Sequence, residues 1–131
     1  MKQGKKNKIL LAKMGLDCHD TGITTMAGLL RDRGYEIVYL GLHNSAERII
    51  NAAIEEDADI IGLSFLSGQH LTQTGKLLKL LKEQEVNIPV FLGGVIPKYD
   101  IPVLKEMGVA EIFTPGTMTQ AVVDFINQQV G

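Results

Sequence analysis

Tryptophan is absent from this chain, and its aromatic residues are three tyrosines and four phenylalanines among 131 positions. A surface that reads nucleic-acid bases by stacking needs more aromatic area than that. There is one cysteine, Cys18, which excludes an internal disulfide and agrees with a reducing cytoplasm. Strong charge of either sign is missing too. The formal net charge is −2, too small to draw the chain to nucleic acid or to an anionic membrane. No apolar run approaches the roughly 18 residues of a membrane span, and no secretory signal pattern is visible. Neither nucleic acid nor membrane is expected as a partner, and a cytoplasmic location is.

What is present suits a folded protein. The hydrophobic share of 45% and the charged share of 21% argue for one packed domain over residues 1–131. The basic opening "MKQGKKNK" reads as a solvated, flexible tail over 1–7. After it, short apolar runs alternate with segments of helical period. "KILLAKM", "YEIVYLG", "DIIGLSFLS", "IPVFLGG" and "EIFTPG" read as strands. Between and after them, "ITTMAGLLRDRG", "SAERIINAAIEEDA", "LTQTGKLLKLLKEQ", "PKYDIPVLKEMG" and "TQAVVDFINQQV" read as helices. Gly34 is the expected stop of the first helix, and Ser45 the expected cap of the second.

Repeated strand–helix units with short linkers imply parallel strands joined by right-handed crossovers. The strands are near-continuous apolar runs, as when helices cover both sheet faces. Five units predict a doubly wound, flavodoxin-like five-stranded sheet of order 2-1-3-4-5, too few for a closed barrel. In such a sheet ligands sit beyond the carboxyl ends of the strands. The loops at 14–22, 40–45, 64–70, 92–98 and 114–118 should therefore carry the function. They hold "GLDCHDTG", "GLHNS", "SFLSGQH", "GGVIP" and "TPGT", rich in glycine and small polar residues.

Three chemistries compete for that edge. Phosphoryl acceptance needs an aspartate ending the third strand and a lysine after the fifth. The chain has Ser64 at the first place and Thr114, Pro115 and Gly116 at the second. Flavin binding needs a phosphate cradle and flanking aromatics, but Asp17 and Asp20 would repel phosphate, and Phe65 and Tyr99 are the best aromatics on offer. The third chemistry is metal ligation by His19, a histidine set in a loop rather than on an apolar face. Asp17 is placed to hold its second ring nitrogen, and Lys13, four residues earlier, to neutralise that carboxylate. One histidine and one carboxylate cannot complete a zinc site. They can complete a metal already held in a macrocycle, which asks for a single axial ligand.

Asp17-x-His19-x-x-Gly22, Ser64-x-Leu66 and Gly93-Gly94, in this order on a five-stranded doubly wound pattern, resemble the cobalamin-binding domain family. The resemblance runs from about Ile9 to Ile126. "LAKMGLDCHDTG", "LSFLSGQH", "GGVIP" and "TPGT" are most similar to the small subunit or carboxyl-terminal domain of acyl-CoA mutases of the methylmalonyl-, isobutyryl- and 2-hydroxyisobutyryl-CoA type.

The resemblance implies a base-off, histidine-on binding mode, with the benzimidazole tail off cobalt and threaded into a slot in the domain. His19 becomes the axial cobalt ligand, Asp17 its hydrogen-bond partner and Lys13 the outer member of the relay. Gly22 lets the tail pass, Ser64 and Leu66 line it, Gly93 and Gly94 leave room for the nucleotide loop, and Gly116 and Thr117 close the other wall. Asp20, Ser67 and Gly68 complete the expected cofactor-binding set. The chain departs from the mutase pattern at Cys18, Thr21 and Ala46. His70 is expected either to contact the corrin or to be a solvated loop residue, and His43 to be a surface residue.

The implied function is that of the cobalamin-binding small subunit of an adenosylcobalamin-dependent acyl-CoA mutase. It would be inactive without a larger barrel-type subunit carrying the substrate pocket. The small subunit of glutamate mutase and a corrinoid methyl carrier are the alternatives. The short segment before the first strand weighs against the carrier; "LDCH" leans slightly toward glutamate mutase, while "GLDxHDxG" and "LSGQH" favour the acyl-CoA branch.

Overall fold

The computed structural model describes residues 7–14, 21–65, 69–114 and 116–130. Five strands and five α-helices alternate along the chain: β1 (Lys8–Ala12), α1 (Thr21–Asp32), β2 (Glu36–Tyr39), α2 (Ala46–Glu55), β3 (Ile60–Phe65), α3 (His70–Glu83), β4 (Val90–Gly94), α4 (Ile101–Met107), β5 (Glu111–Phe113) and α5 (Thr119–Val130). A 3-10 turn, Lys98–Asp100, leads into α4. The strands form one sheet of order β2-β1-β3-β4-β5. All its pairings are parallel, so the expected doubly wound architecture is the one observed.

Side-chain alternation on the inner strands divides the apolar core in two. Leu10, Ala12, Ile61, Leu63, Phe65 and Leu92 pack with Ile49 and Ile50 of α2, Leu77 and Leu81 of α3, and Leu104 of α4. Ile9, Leu11, Ile60 and Phe91 point the other way, toward Ile23, Ala27 and Leu30 of α1 and Val122 and Ile126 of α5. On this second face the Phe91 ring meets Phe113 and Phe125 edge-on at 5.9 Å each. Gly62 makes that possible, because a Cβ there would lie 2.5 Å from Phe91 Cζ.

Local chemistry sets the helix ends. The Ser45 hydroxyl caps α2 by accepting from Arg48 N at 3.1 Å, as expected of a serine there. Gly34, with φ +95, turns the chain out of α1. The helix expected over 97–108 is instead a 3-10 turn followed by a short α-helix. Pro102 has no N–H to give the carbonyl four residues back, so the α-helical ladder cannot run through it, while it suits a helix's first turn. The two edge strands are shorter than their apolar runs, ending at Tyr39 and Phe113. Among the described residues no helix is long and apolar enough to cross a membrane.

Candidate functional site

The carboxyl ends of β1, β3 and β4 form the middle of one sheet edge. Lys13 follows β1 and is fully buried. A buried ammonium is costly unless hydrogen-bonded, and its Nζ donates to the carbonyl oxygen of Ser64 at 2.9 Å. Its backbone is held from the β2–α2 loop. Lys13 N donates to Gly41 O at 3.1 Å, and Lys13 O accepts from Asn44 N at 2.9 Å. The buried Asn44 side chain strengthens this tie, its Nδ2 donating to Lys13 O at 3.0 Å and to Gly41 O at 2.8 Å. Asn44 Oδ1 in turn accepts from Arg48 Nε at 2.7 Å. A chain of polar contacts thus fixes the position of Lys13 from α2 inward.

Ser64 and Phe65 pair with Gly93 and Gly94. Ser64 lies two residues beyond Gly62, on the sheet face covered by α1 and α5, and Gly93 shares that face by register. The paired glycines are glycine for different reasons. Gly94 has φ +109, and a Cβ there would overlap the Phe65 carbonyl oxygen, so the backbone itself excludes any other residue. At Gly93 the nearest atom to an added Cβ is Phe113 O, at an ordinary 3.7 Å. A Cβ on Gly22, in the first turn of α1, would meet nothing within 4 Å. Glycine inside a helix costs about 0.5–1 kcal/mol relative to alanine, and no contact among the described residues requires it at Gly22. Among the described residues, the room at Gly93 and Gly22 therefore fits a group that approaches from outside, between the sheet edge and the starts of α1 and α5.

The far wall is the β5–α5 connection. Gly116 has φ +91, and Thr117 closes the turn by donating from Oγ1 to Thr114 O at 2.7 Å. The fold brings Lys13, Gly22, Ser64, Gly93, Gly94, Gly116 and Thr117 to the same edge of the sheet. Asp17, His19, Asp20, Leu66, Ser67 and Gly68 lie outside the described residues. His43 is an exposed loop residue, as expected.

His70 is not the solvated loop residue that was one of its two expected roles. It opens α3 and is buried, and its Nε2 lies 2.7 Å from Asp100 Oδ2. Asp100 and Asn44 are the residues that sequence reasoning passed over. Asn44 sat in a loop already marked for function, without a motif to single it out. Asp100 reads as an ordinary helix-opening aspartate, and only its distant partner gives it another role.

Among the described residues, the groups whose titration is clearly moved by their surroundings lie away from this edge. Burial pushes the Tyr35 hydroxyl up, while it donates to Asn127 Oδ1 at 2.5 Å. Glu111 feels an upward push from burial, outweighed by the Ile112 N–H and the Lys105 ammonium, which together hold its carboxyl below the usual value.

Comparison with known proteins agrees with this fold. The family described as B12 binding domain matches residues 7–124. The chain is 43% identical over 124 residues to the 2-hydroxyisobutanoyl-CoA mutase small subunit of Aquincola tertiaricarbonis, covering 94% of this chain and 91% of that protein. It is 38% identical over 126 residues to methylmalonyl-CoA mutase of Escherichia coli (strain K12), covering 95% of this chain but only 18% of that larger protein. A cobalamin-binding protein from Desulfitobacterium hafniense DCB-2 superposes with a TM-score of 0.83 at 25% identity, over 97% of this chain and 60% of that one. The chain belongs to the B12-binding domain family, in the group that includes acyl-CoA mutase small subunits.

Proposed function

We propose that this chain is the cobalamin-carrying small subunit of a cytoplasmic, adenosylcobalamin-dependent acyl-CoA mutase. In this reading it takes the cofactor base-off, with His19 as axial cobalt ligand. The observation that carries the reading is the match to a mutase small subunit over nearly the full length of both chains. When bound, the cofactor supplies radical chemistry through homolysis of its cobalt–carbon bond. The chain's own residues hold and orient it. Asp17 would hydrogen-bond the second ring nitrogen of His19, and Lys13, whose backbone Asn44 holds, would back Asp17. Gly22, Ser64, Gly93 and Gly116 would line the flat benzimidazole tail, for which small residues and one placed hydroxyl are suitable walls. Gly94, Thr117, Leu66, Asp20, Ser67 and Gly68 complete the surround.

The substrate pocket belongs, in this proposal, to a larger barrel-type subunit seated over the carboxyl edge. Exposed apolar side chains there support a covering partner: Val95 is 51% exposed, Tyr99 79% and Met118 75%.

Equilibrium binding of cobalamin to the purified chain, followed by absorbance, tests the slot. Wild type should bind with the spectral change of a displaced benzimidazole. Gly93→Val should stay folded and bind at least about tenfold more weakly, a loss of roughly 1.4 kcal/mol. Wild type that binds no cobalamin, or a Gly93→Val chain that binds as well as wild type, would contradict the proposal.

A further inference from the structure

The His70–Asp100 pair is not needed by anything described so far. Both side chains are largely buried, at 7% and 13% exposure, with 2.7 Å between Nε2 and Oδ2. A buried pair of this kind adds little stability over well-packed apolar residues, so its presence asks for another reason.

Three observations supply one. Asp100 stands at the cap position of α4, yet among the described residues its carboxylate bonds no N–H of that helix. The usual capping interaction is given up for the imidazole. Next, two polar atoms on one face of α3 are buried and without a hydrogen-bond partner among the described residues: His70 Nδ1 and, one turn on, Thr74 Oγ1. A region shaped for stability alone would not strand both. Finally, the pair joins segments that leave adjacent strands. β3 and β4 separate after Phe65 and Gly94, where Val95 N donates to Phe65 O at 2.9 Å. The chain after β4 meets the start of α3 again at Asp100 and His70. The Phe65 ring lies edge-on to the His70 ring between these two ties, centroids 6.5 Å apart.

We propose that His70 and Asp100 form a latch that fixes the segment Val95–Asp100 against the start of α3 before any cofactor arrives. They are positioning residues, acting through the backbone that follows Gly93 and Gly94. Nε2–H of His70 donates to the Asp100 carboxylate. The latch is a property of the protein alone; that it shapes the wall of the tail slot rests on the function proposed above.

The test uses the full chain and three variants, Asp100→Ala, Asp100→Asn and His70→Leu. Asparagine keeps an acceptor for Nε2–H, whereas alanine does not. Without cofactor, amide exchange at Val95 and Asp100 should speed up at least tenfold in Asp100→Ala and His70→Leu and recover in Asp100→Asn. The Leu40 amide, bonded to Leu11 O in the other half of the sheet at 2.9 Å, should not change. Affinity should fall at least tenfold for cobalamin while staying level for cobinamide, the corrinoid without a nucleotide tail. Exchange that is unchanged, or that rises equally at Leu40, overturns the latch. Equal losses for both corrinoids overturn its role at the slot. Wild type that binds neither corrinoid contradicts the cobalamin reading instead, and the exchange arm still decides the latch. If Asp100→Ala does not fold, nitrogen-15 spectra of wild type decide, since only three histidines are present. A His70 ring protonated at Nδ1 with a bare Nε2 overturns the proposal.

Discussion

The ammonium nitrogen of Lys13 donates a 2.9 Å hydrogen bond to the carbonyl oxygen of Ser64, tying the end of β1 to the end of β3 inside the protein. Lys13→Met keeps most of the side-chain volume and removes the donor. The Ser64 carbonyl then loses its partner, at a cost of about 1–3 kcal/mol. Urea unfolding should show that loss as a lower midpoint with an unchanged slope. A Lys13→Met chain as stable as wild type would contradict the tie.

Gly93 and Gly94 are neighbours with opposite tolerances. Gly94→Ala places a Cβ into the Phe65 carbonyl at a positive φ and should destabilise by at least about 2 kcal/mol. Gly93→Ala meets only an ordinary contact and should change stability by less than about 0.5 kcal/mol. Thermal or urea unfolding of both variants checks the contrast. Equal effects would mean that Gly93 is demanded by the protein's own packing and not by a ligand.

Asn44 holds Lys13 O and Gly41 O through Nδ2 and receives Arg48 through Oδ1. Asn44→Ala removes all these bonds and should cost about 2–3 kcal/mol. Asn44→Asp keeps the acceptor for Arg48 but loses both donors, so it should recover only a minor part. If aspartate restores full stability, the contact to Arg48 rather than the tie to Lys13 matters.

Glu111 is held below its ordinary value of 4.5 when folded, against the push of burial, by the Ile112 N–H and by Lys105. A carboxyl lowered by folding contributes stability above 4.5, and that contribution is lost as pH falls through the lower folded value. Lys105→Gln removes the 3.0 Å ion pair. Both partners are substantially exposed, so the loss at pH 7 should be about 0.5 kcal/mol or less. The two chains should converge in acid as Glu111 protonates. A difference that grows as pH falls would contradict the sign.

The sheet was legible because each inner strand is an unbroken apolar run and each helix carries an apolar face. Gly34 and Ser45 did what their chemistry suggests at helix ends. The 3-10 turn before α4 was legible in principle, since Pro102 forbids a continuous helix, but the apolar period of the segment masked it. Gly93 could be placed at the carboxyl end of the fourth strand from sequence. What sets it apart from Gly94, whose backbone admits no side chain, depends on a φ angle and on the position of Phe65. His70 could not be read, because a histidine after Gly-Gln looks solvated until Asp100, thirty residues on, is brought beside it. Asn44 was hidden for a related reason: its Nδ2 donates to the backbone carbonyls of Lys13 and Gly41, which leave no trace in residue type.

The central claim is that His19 ligates cobalt. The chain should be loaded with cobalamin, reduced to cobalt(II) and examined by electron paramagnetic resonance with histidine labelled by nitrogen-15. The account predicts superhyperfine triplets that collapse to doublets on labelling and are lost in His19→Ala. Triplets that persist unchanged with labelled histidine would mean that the benzimidazole still occupies cobalt, and would contradict it.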